Sequence, residues 1–124
     1  MRAGMNKRRL GEDKEQIAAE FLEAAGYEIL ERNFRCRMGE IDLIAKENGT
    51  LIFTEVKYRA NHKAGLPEEA VGLRKQKTIG KVALYYLTTR VRRTDVPCRF
   101  DVVAIDGDEI RHYQNAFSYA GFYG

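Results

Sequence analysis

The stretch Gly39–Arg59, GEIDLIAKENGTLIFTEVKYR, decides the fold of this chain. It reads as two strands around Asn48-Gly49, a dipeptide suited to a two-residue hairpin loop because both positions tolerate positive φ. Such a loop sets the register: Ile44 faces Phe53, Asp42 faces Glu55 and Glu40 faces Lys57. Opposed residues share a face of the sheet with Cβ atoms roughly 4.5–5.5 Å apart, so the Asp42 and Glu55 carboxylates repel each other unless something positive intervenes. The candidates are Lys57 and a bound metal ion. An odd-length loop or a bulge would instead put the two carboxylates on opposite faces.

Neither strand shows the usual apolar-in, polar-out alternation. Successive side chains point to opposite faces, which places Leu51, Phe53, Glu55 and Lys57 on one face and Ile52, Thr54 and Val56 on the other. In the first strand Ile41, Leu43 and Ala45 lie opposite Glu40, Asp42 and Ile44. Apolar residues on both faces suit the middle of a sheet covered on both sides. Ionisable groups in that setting are costly unless paired or metal-bound, which makes them candidates for function.

At 124 residues the chain reads as one domain, large enough for a core without disulfide or metal staples. We divide it into a basic arm (1–10), the domain proper (11–117) and an aromatic, Gly-rich tail (118–124). A net charge of +3 permits a polyanionic partner without requiring one. Cys36 and Cys98 lack CxxC spacing and a His at ligand spacing, and read as reduced thiols rather than a zinc site. No apolar run reaches membrane-spanning length, and no signal-peptide hydrophobic region follows the basic start. The expectation is a cytoplasmic protein that does not engage a membrane.

A helix is predicted from Glu12 to Ala25, with Ile17, Ala18, Phe21, Leu22 and Ala25 as its apolar stripe and Gly26 at its end. Glu15 has two readings: a first-turn acid favoured by the helix dipole, or a side chain beside the buried stripe, set by its spacing to Ala18 and Leu22. Tyr27–Phe34 predicts a strand near an edge. Arg32, Arg35 and Arg37 either meet phosphates or pair with Glu28, Glu31 and Glu40; Glu40 is also expected to pair with Lys57. The polar loop after Arg59 carries His62, read as solvated, and leaves the sheet beside Glu55 and Lys57, where loops often close over a substrate.

Pro67 opens a helical region, Gly72 interrupts it, and a main helix runs to about Thr89. Ile79, Val82, Ala83, Tyr86 and Leu87 form its buried face. Arg74, Lys77 and Lys81 make a basic stripe that is either solvated or in contact with backbone phosphate. Lys75, four residues before Ile79, points along the apolar face toward the sheet. Cys98–Ile105 predicts a further strand, turned by Asp106-Gly107 into Glu109–Tyr113. Asp101 either joins the acidic site or pairs with Arg99 or Arg111, the second being expected.

Asp42 with Glu55-x-Lys57 brings two carboxylates and an amine together. Hard oxygen ligands of this kind suit Mg²⁺ or Mn²⁺, with the Val56 carbonyl able to complete the shell. Such an ion polarises a phosphoryl oxygen and supplies hydroxide for in-line attack on a phosphodiester. Lys57 would orient the water or neutralise the developing charge.

GEIDLIA followed by FTEVKYR resembles the PD-(D/E)xK nuclease motif, with Ile41 where that pattern has Pro. More closely, residues 9–117 resemble the YraN/UPF0102 family of small bacterial endonuclease-like proteins, themselves similar to archaeal Holliday junction resolvases. The shared features include Gly11-x-x-x-Glu15-x-x-Ala18, Gly26-Tyr27, Asn33, GEIDLIA, EVKYR, Pro67–Val71, Arg74-Lys75-Gln76, Arg99–Val103 and Asn115-Ala116-Phe117. The resemblance implies a restriction-endonuclease-like α/β fold, a central mixed β-sheet flanked by helices. It also implies a helical glutamate near the site, which adds Glu15 to the catalytic set of Asp42, Glu55 and Lys57. The expected partner is duplex or branched DNA, with Arg35, Arg37, Arg59, Arg74, Lys75, Lys77 and Lys81 as candidate phosphate contacts, and a homodimer is possible because a junction presents two symmetric strands. The leading expectation is a Mg²⁺- or Mn²⁺-dependent DNA endonuclease. The alternatives are a nucleic-acid-binding protein of the same fold without cleavage and, more weakly supported, a structural protein with a charged sheet face.

Overall fold

Asn48 and Gly49 have φ of 51° and 81°, the two positive values that a type I′ turn requires. The strands they join, β2 (Gly39–Glu47) and β3 (Thr50–Arg59), pair from Glu47↔Thr50 to Leu43↔Thr54 in the expected antiparallel register. The computed structural model describes residues 7–59 and 71–118, with side chains for 14–58 and 71–118. His62, the segment opened by Pro67, the first six residues, the Arg59 side chain and the tail beyond Ser118 lie outside the described residues.

Three further strands complete the sheet: β1 (Glu28–Cys36), β4 (Cys98–Asp106) and β5 (Glu109–Phe117), in spatial order β1-β2-β3-β4-β5. β1 is an edge, as its charges predicted. All neighbours are antiparallel except β3 and β4, which run parallel. A parallel pair needs a long crossover, and this one carries the helix α2 (Leu73–Tyr86). The other helix, α1 (Lys7–Ala24), packs on the opposite face. A mixed sheet with a helix on each side is the architecture expected of a restriction-endonuclease-like fold.

Two apolar layers follow from the strand alternation. On the α1 side Ala18, Ala19 and Leu22 meet Leu43, Ala45, Ile52, Val56 and Val103. On the α2 side Ile79, Val82, Ala83, Tyr86 and Leu87 meet Ile44, Phe53, Phe100 and Val102. The helical spacing at 79–87 therefore identified the buried face. Among the described residues no helix is long and apolar enough to cross a membrane.

Several element ends differ from expectation. α1 begins at Lys7, so residues 7–10 of the expected arm are helical and Glu15 sits mid-helix rather than in the first turn. α2 stops at Tyr86 and passes into a π-helical turn, Leu87–Val91. There the Thr88 and Thr89 hydroxyls both donate to the Tyr85 carbonyl, at 3.1 and 2.7 Å, local bonds of a kind that distorts helices. β5 continues past Tyr113 to Phe117, whose ring stacks on Phe100 with centroids 5.2 Å apart.

The turn between β1 and β2 abuts α2. A Cβ on Gly39 (φ +152°) would lie 2.6 Å from the Thr78 Cγ2, well inside the roughly 3.5–4.0 Å of optimal carbon contact. Gly39→Ala is expected to cost about 1–3 kcal/mol of stability, read from the denaturation midpoint. An unchanged midpoint would show that α2 can back away from the turn.

Candidate functional site

Beyond Leu43↔Thr54 the ladder between β2 and β3 stops. The expected oppositions of Asp42 with Glu55 and of Glu40 with Lys57 are therefore not formed as sheet pairs. The cause is a break in alternation at Asp42. Ile41 and Ile44 both enter the α2-side core while Leu43 enters the α1-side core, which an unbroken strand forbids for residues three apart. The neighbouring β1 changes face at the same level. Phe34 joins the α2-side core, yet Arg32 donates to the Gln16 Oε1 of α1 at 2.5 Å. Between them Asn33 has φ 52°, a left-handed conformation that Asn adopts more readily than most residues.

The kink turns the Asp42 carboxylate into the gap between the strands, where its Oδ2 accepts the Val56 N–H at 2.8 Å. A side chain thus takes the place of the missing backbone partner, and β3 runs on paired with β4 alone, from Glu55↔Val102 to Arg59↔Asp106. In an extended strand a residue's N–H and C=O point to the same side. The Val56 carbonyl therefore opens into this gap as well.

Glu55 reaches the gap from the α2 side and is only 6% exposed. Its Oε2 lies 3.5 Å from the Lys75 Nζ and 3.9 Å from the Lys57 Nζ. Burial first, and then the charge of Asp42, push its pKa up to about 7 against the opposing pull of the two lysines. The Glu55 carboxyl also hydrogen-bonds Asp42, so the two groups meet although their strands have separated.

Glu15 approaches from the α1 side. Burial raises its pKa; a hydrogen bond from Asn33 and the charge of Lys14 oppose this, while Asp42 and Glu40 reinforce it. The placement beside the buried stripe is the reading of Glu15 that the structure supports. Glu40 pairs with Arg35, Nε to Oε2 at 3.4 Å, and not with Lys57.

Lys75 was expected both to point at the sheet and to serve as a phosphate contact; it sits beside Glu55. Arg37 is exposed in the β1–β2 turn. Arg74, Lys77 and Lys81 are exposed along α2, where with Leu73 and Thr78 they line an open groove of about 320 Å³.

Asp42, Glu55 and the Val56 carbonyl are the oxygen donors that could hold a divalent ion. Among the described residues no group of three or more His, Cys, Asp or Glu side chains is placed to hold one. This donor set fits a hard ion that keeps much of its water, as Mg²⁺ does when bound through one or two carboxylates. It does not fit a closed all-protein cage.

Comparison with known sequences bears on the same stretch. The model of a family described as "Uncharacterised protein family UPF0102" matches residues 14–105, which span Glu15, Asp42, Glu55, Lys57 and Lys75. The chain belongs to the UPF0102 family. A UPF0102 protein of Lachnoclostridium phytofermentans is 51% identical over 117 residues, covering 94% of this chain and 99% of its own. One from Syntrophus aciditrophicus is 49% identical over 116 residues, covering 90% and 91%.

In this UPF0102 member Asp101 stands apart from the acidic gap. It is fully buried and accepts from Arg99 Nε and Nη2 at 3.0 and 3.2 Å, from the Asn115 N–H at 2.9 Å, and meets His112 Nε2 at 2.7 Å. Burial opposes its ionisation, but His112, Arg99 and Asn115 together hold its pKa below the ordinary value. Arg99 also donates to the Tyr27 hydroxyl at 2.5 Å. Arg111, the other expected partner, pairs with Glu109. His112 escaped the sequence reading, although its parity in the β4–β5 hairpin, opposite Val103, was a usable signal. Asp101→Ala removes the shared buried acceptor of Arg99, His112 and the Asn115 N–H, leaving Arg99 with Glu47 at 3.7 Å, and is expected to cost about 1–3 kcal/mol; a loss under about 0.5 kcal/mol by urea denaturation would mean that the network is not stabilising.

Proposed function

We propose that this protein is a metal-dependent DNA endonuclease working at the gap between β2 and β3. The observation that carries the reading is the meeting of Asp42 and the buried Glu55 where the ladder splits, with Lys57 and Lys75 beside them. A fold has no structural reason to set a second carboxylate beside a buried one, because the neighbouring charge adds to the cost of ionising Glu55. Nucleic-acid binding alone needs cations rather than such a pair.

A Mg²⁺ or Mn²⁺ ion held there supplies Lewis acidity toward a phosphoryl oxygen and a more acidic water. The chain's residues do the rest. Deprotonated Glu55 and Asp42, whose Oδ2 is oriented by the Val56 N–H, would hold that ion. Lys57, partly exposed at the rim, neutralises the charge that builds on the phosphoryl oxygens as water attacks in line and the opposite P–O bond breaks, the attacking water losing its proton to solvent and the leaving oxygen taking one up. Glu15, across the gap and held by Asn33, orients water on the α1 side. The exposed cations of α2 hold the DNA backbone.

The test is cleavage of junction, flap and linear DNA with Mg²⁺ or Mn²⁺ by wild type and Asp42→Asn. Asparagine keeps an oxygen for the Val56 N–H but loses the charge. Activity that persists in the variant would remove the gap as the active site. Binding without cleavage under either ion would favour a non-cleaving DNA-binding protein.

A further inference from the structure

We propose that the open face of α2 binds an unpaired DNA strand, its phosphates along Arg74, Lys77 and Lys81 and a base laid on a shelf made by Met38, Leu84 and Tyr85. The proposal rests on the endonuclease reading and specifies its substrate as DNA with a single-stranded arm or end.

Two adjoining grooves carry the argument. The first, of about 320 Å³, is lined by Arg74, Lys77 and Lys81. These cations recur at i, i+3 and i+7, which spans about 10 Å of helix on one side. Among the described residues no carboxylate pairs with any of them, whereas Arg35, Arg90, Arg93, Arg99 and Arg111 all have acidic partners. Arg37, Lys46 and Arg92 also lack an acidic partner among the described residues, but they lie on separate elements; only on α2 do three such cations line up on one side of a helix and share a groove.

The second groove, of about 270 Å³, shares Lys81 with the first and is otherwise lined by Met38, Leu84, Tyr85 and Thr88. Met38 is 42% and Tyr85 39% exposed, two of the four large apolar side chains so exposed among the described residues, and they adjoin each other. The Tyr85 ring packs beside Phe34, with centroids 6.3 Å apart, which supports it on one side and leaves the rest of the ring open. A duplex offers phosphates to the cations but keeps its base faces stacked, so it would leave this shelf empty. Cations continuous with an exposed aromatic and a thioether match a strand whose bases are free to stack. The path leads to the gap: Thr78 lies against Gly39, three residues before Asp42, and Lys75 joins the same helix to Glu55.

The experiment is fluorescence anisotropy with labelled oligo(dT) and a blunt duplex of equal length, in EDTA so that cleavage plays no part. Wild type is expected to bind the single strand more tightly. Tyr85→Ala should weaken single-strand binding roughly 5- to 100-fold with little effect on the duplex, and Tyr85→Phe should restore it. Lys81→Ala should lower the slope of log affinity against log salt by about 0.7. Equal or tighter duplex binding, or a Tyr85→Ala loss shared by both ligands, would overturn the proposal. Should Tyr85→Ala melt early, Met38→Ala in the exposed turn gives the same discrimination. A protein that discriminates in EDTA but never cleaves with metal removes the nuclease reading alone; one that cleaves without discriminating removes only this one.

Discussion

Lys57→Ala is expected to slow DNA cleavage by roughly 10²–10³-fold, the usual loss on removing one group that stabilises transition-state charge. DNA affinity measured in EDTA should stay nearly unchanged, because the lysine lies at the gap and not on the α2 stripe. Stability should also change little. The Lys57–Glu55 contact is long, at 3.9 Å, and the amine is 34% exposed, a setting where an ion pair contributes about 0–1 kcal/mol. The single-turnover rate on the best cleaved substrate, with binding measured separately, is the deciding readout. A variant within twofold of wild type would take Lys57 out of the chemistry. Lys57→Arg should recover part of the rate if charge is what matters.

Glu55→Gln should stabilise the metal-free protein at pH 8 by roughly 1–3 kcal/mol and leave it unchanged at pH 4. The sign follows from proton counts. Glu55 titrates at about 7 when folded against 4.5 for the unperturbed group. Between those values the native state holds a proton that the unfolded state has lost, so wild-type stability falls as pH rises through the window and levels off above it. Glutamine carries no charge to bury and can still donate to Asp42. Denaturation midpoints in EDTA at pH 4, 6 and 8 should therefore diverge with pH, and parallel profiles would mean that Glu55 ionises without strain. Added Mn²⁺ should stabilise wild type more at pH 8 than at pH 6, since the ion binds the deprotonated carboxylate. Glu55→Gln should lose most of that response.

Much of this was legible in the chain. Asn48-Gly49 set a hairpin because those residues accept positive φ, and the register followed from loop length. The helical spacing of Ile79, Val82, Ala83, Tyr86 and Leu87 identified the buried face of α2, and the position of Lys75 four residues before Ile79 aimed it at the sheet, where it meets Glu55. Other features were not legible. Apolar residues at 41, 43, 44 and 45 occupy both parities, so the pattern carried no phase that could reveal a change of face at Asp42. Glu15 looked like a first-turn acid because the helix start was placed too late. His112 was passed over because its partner Asp101 lies on another strand.

The sequence by itself determined the hairpin, the covered sheet and the identity of Asp42, Glu55 and Lys57 as candidates, because turn chemistry and periodicity are local properties. Only the tertiary structure decided how they meet. The paired kink at Asn33 and Asp42 depends on two strands bending together between helices on opposite faces. It parts β2 from β3, and the opening it leaves is where carboxylates carried by separate elements are pressed close enough for burial and mutual charge to raise the pKa of Glu55.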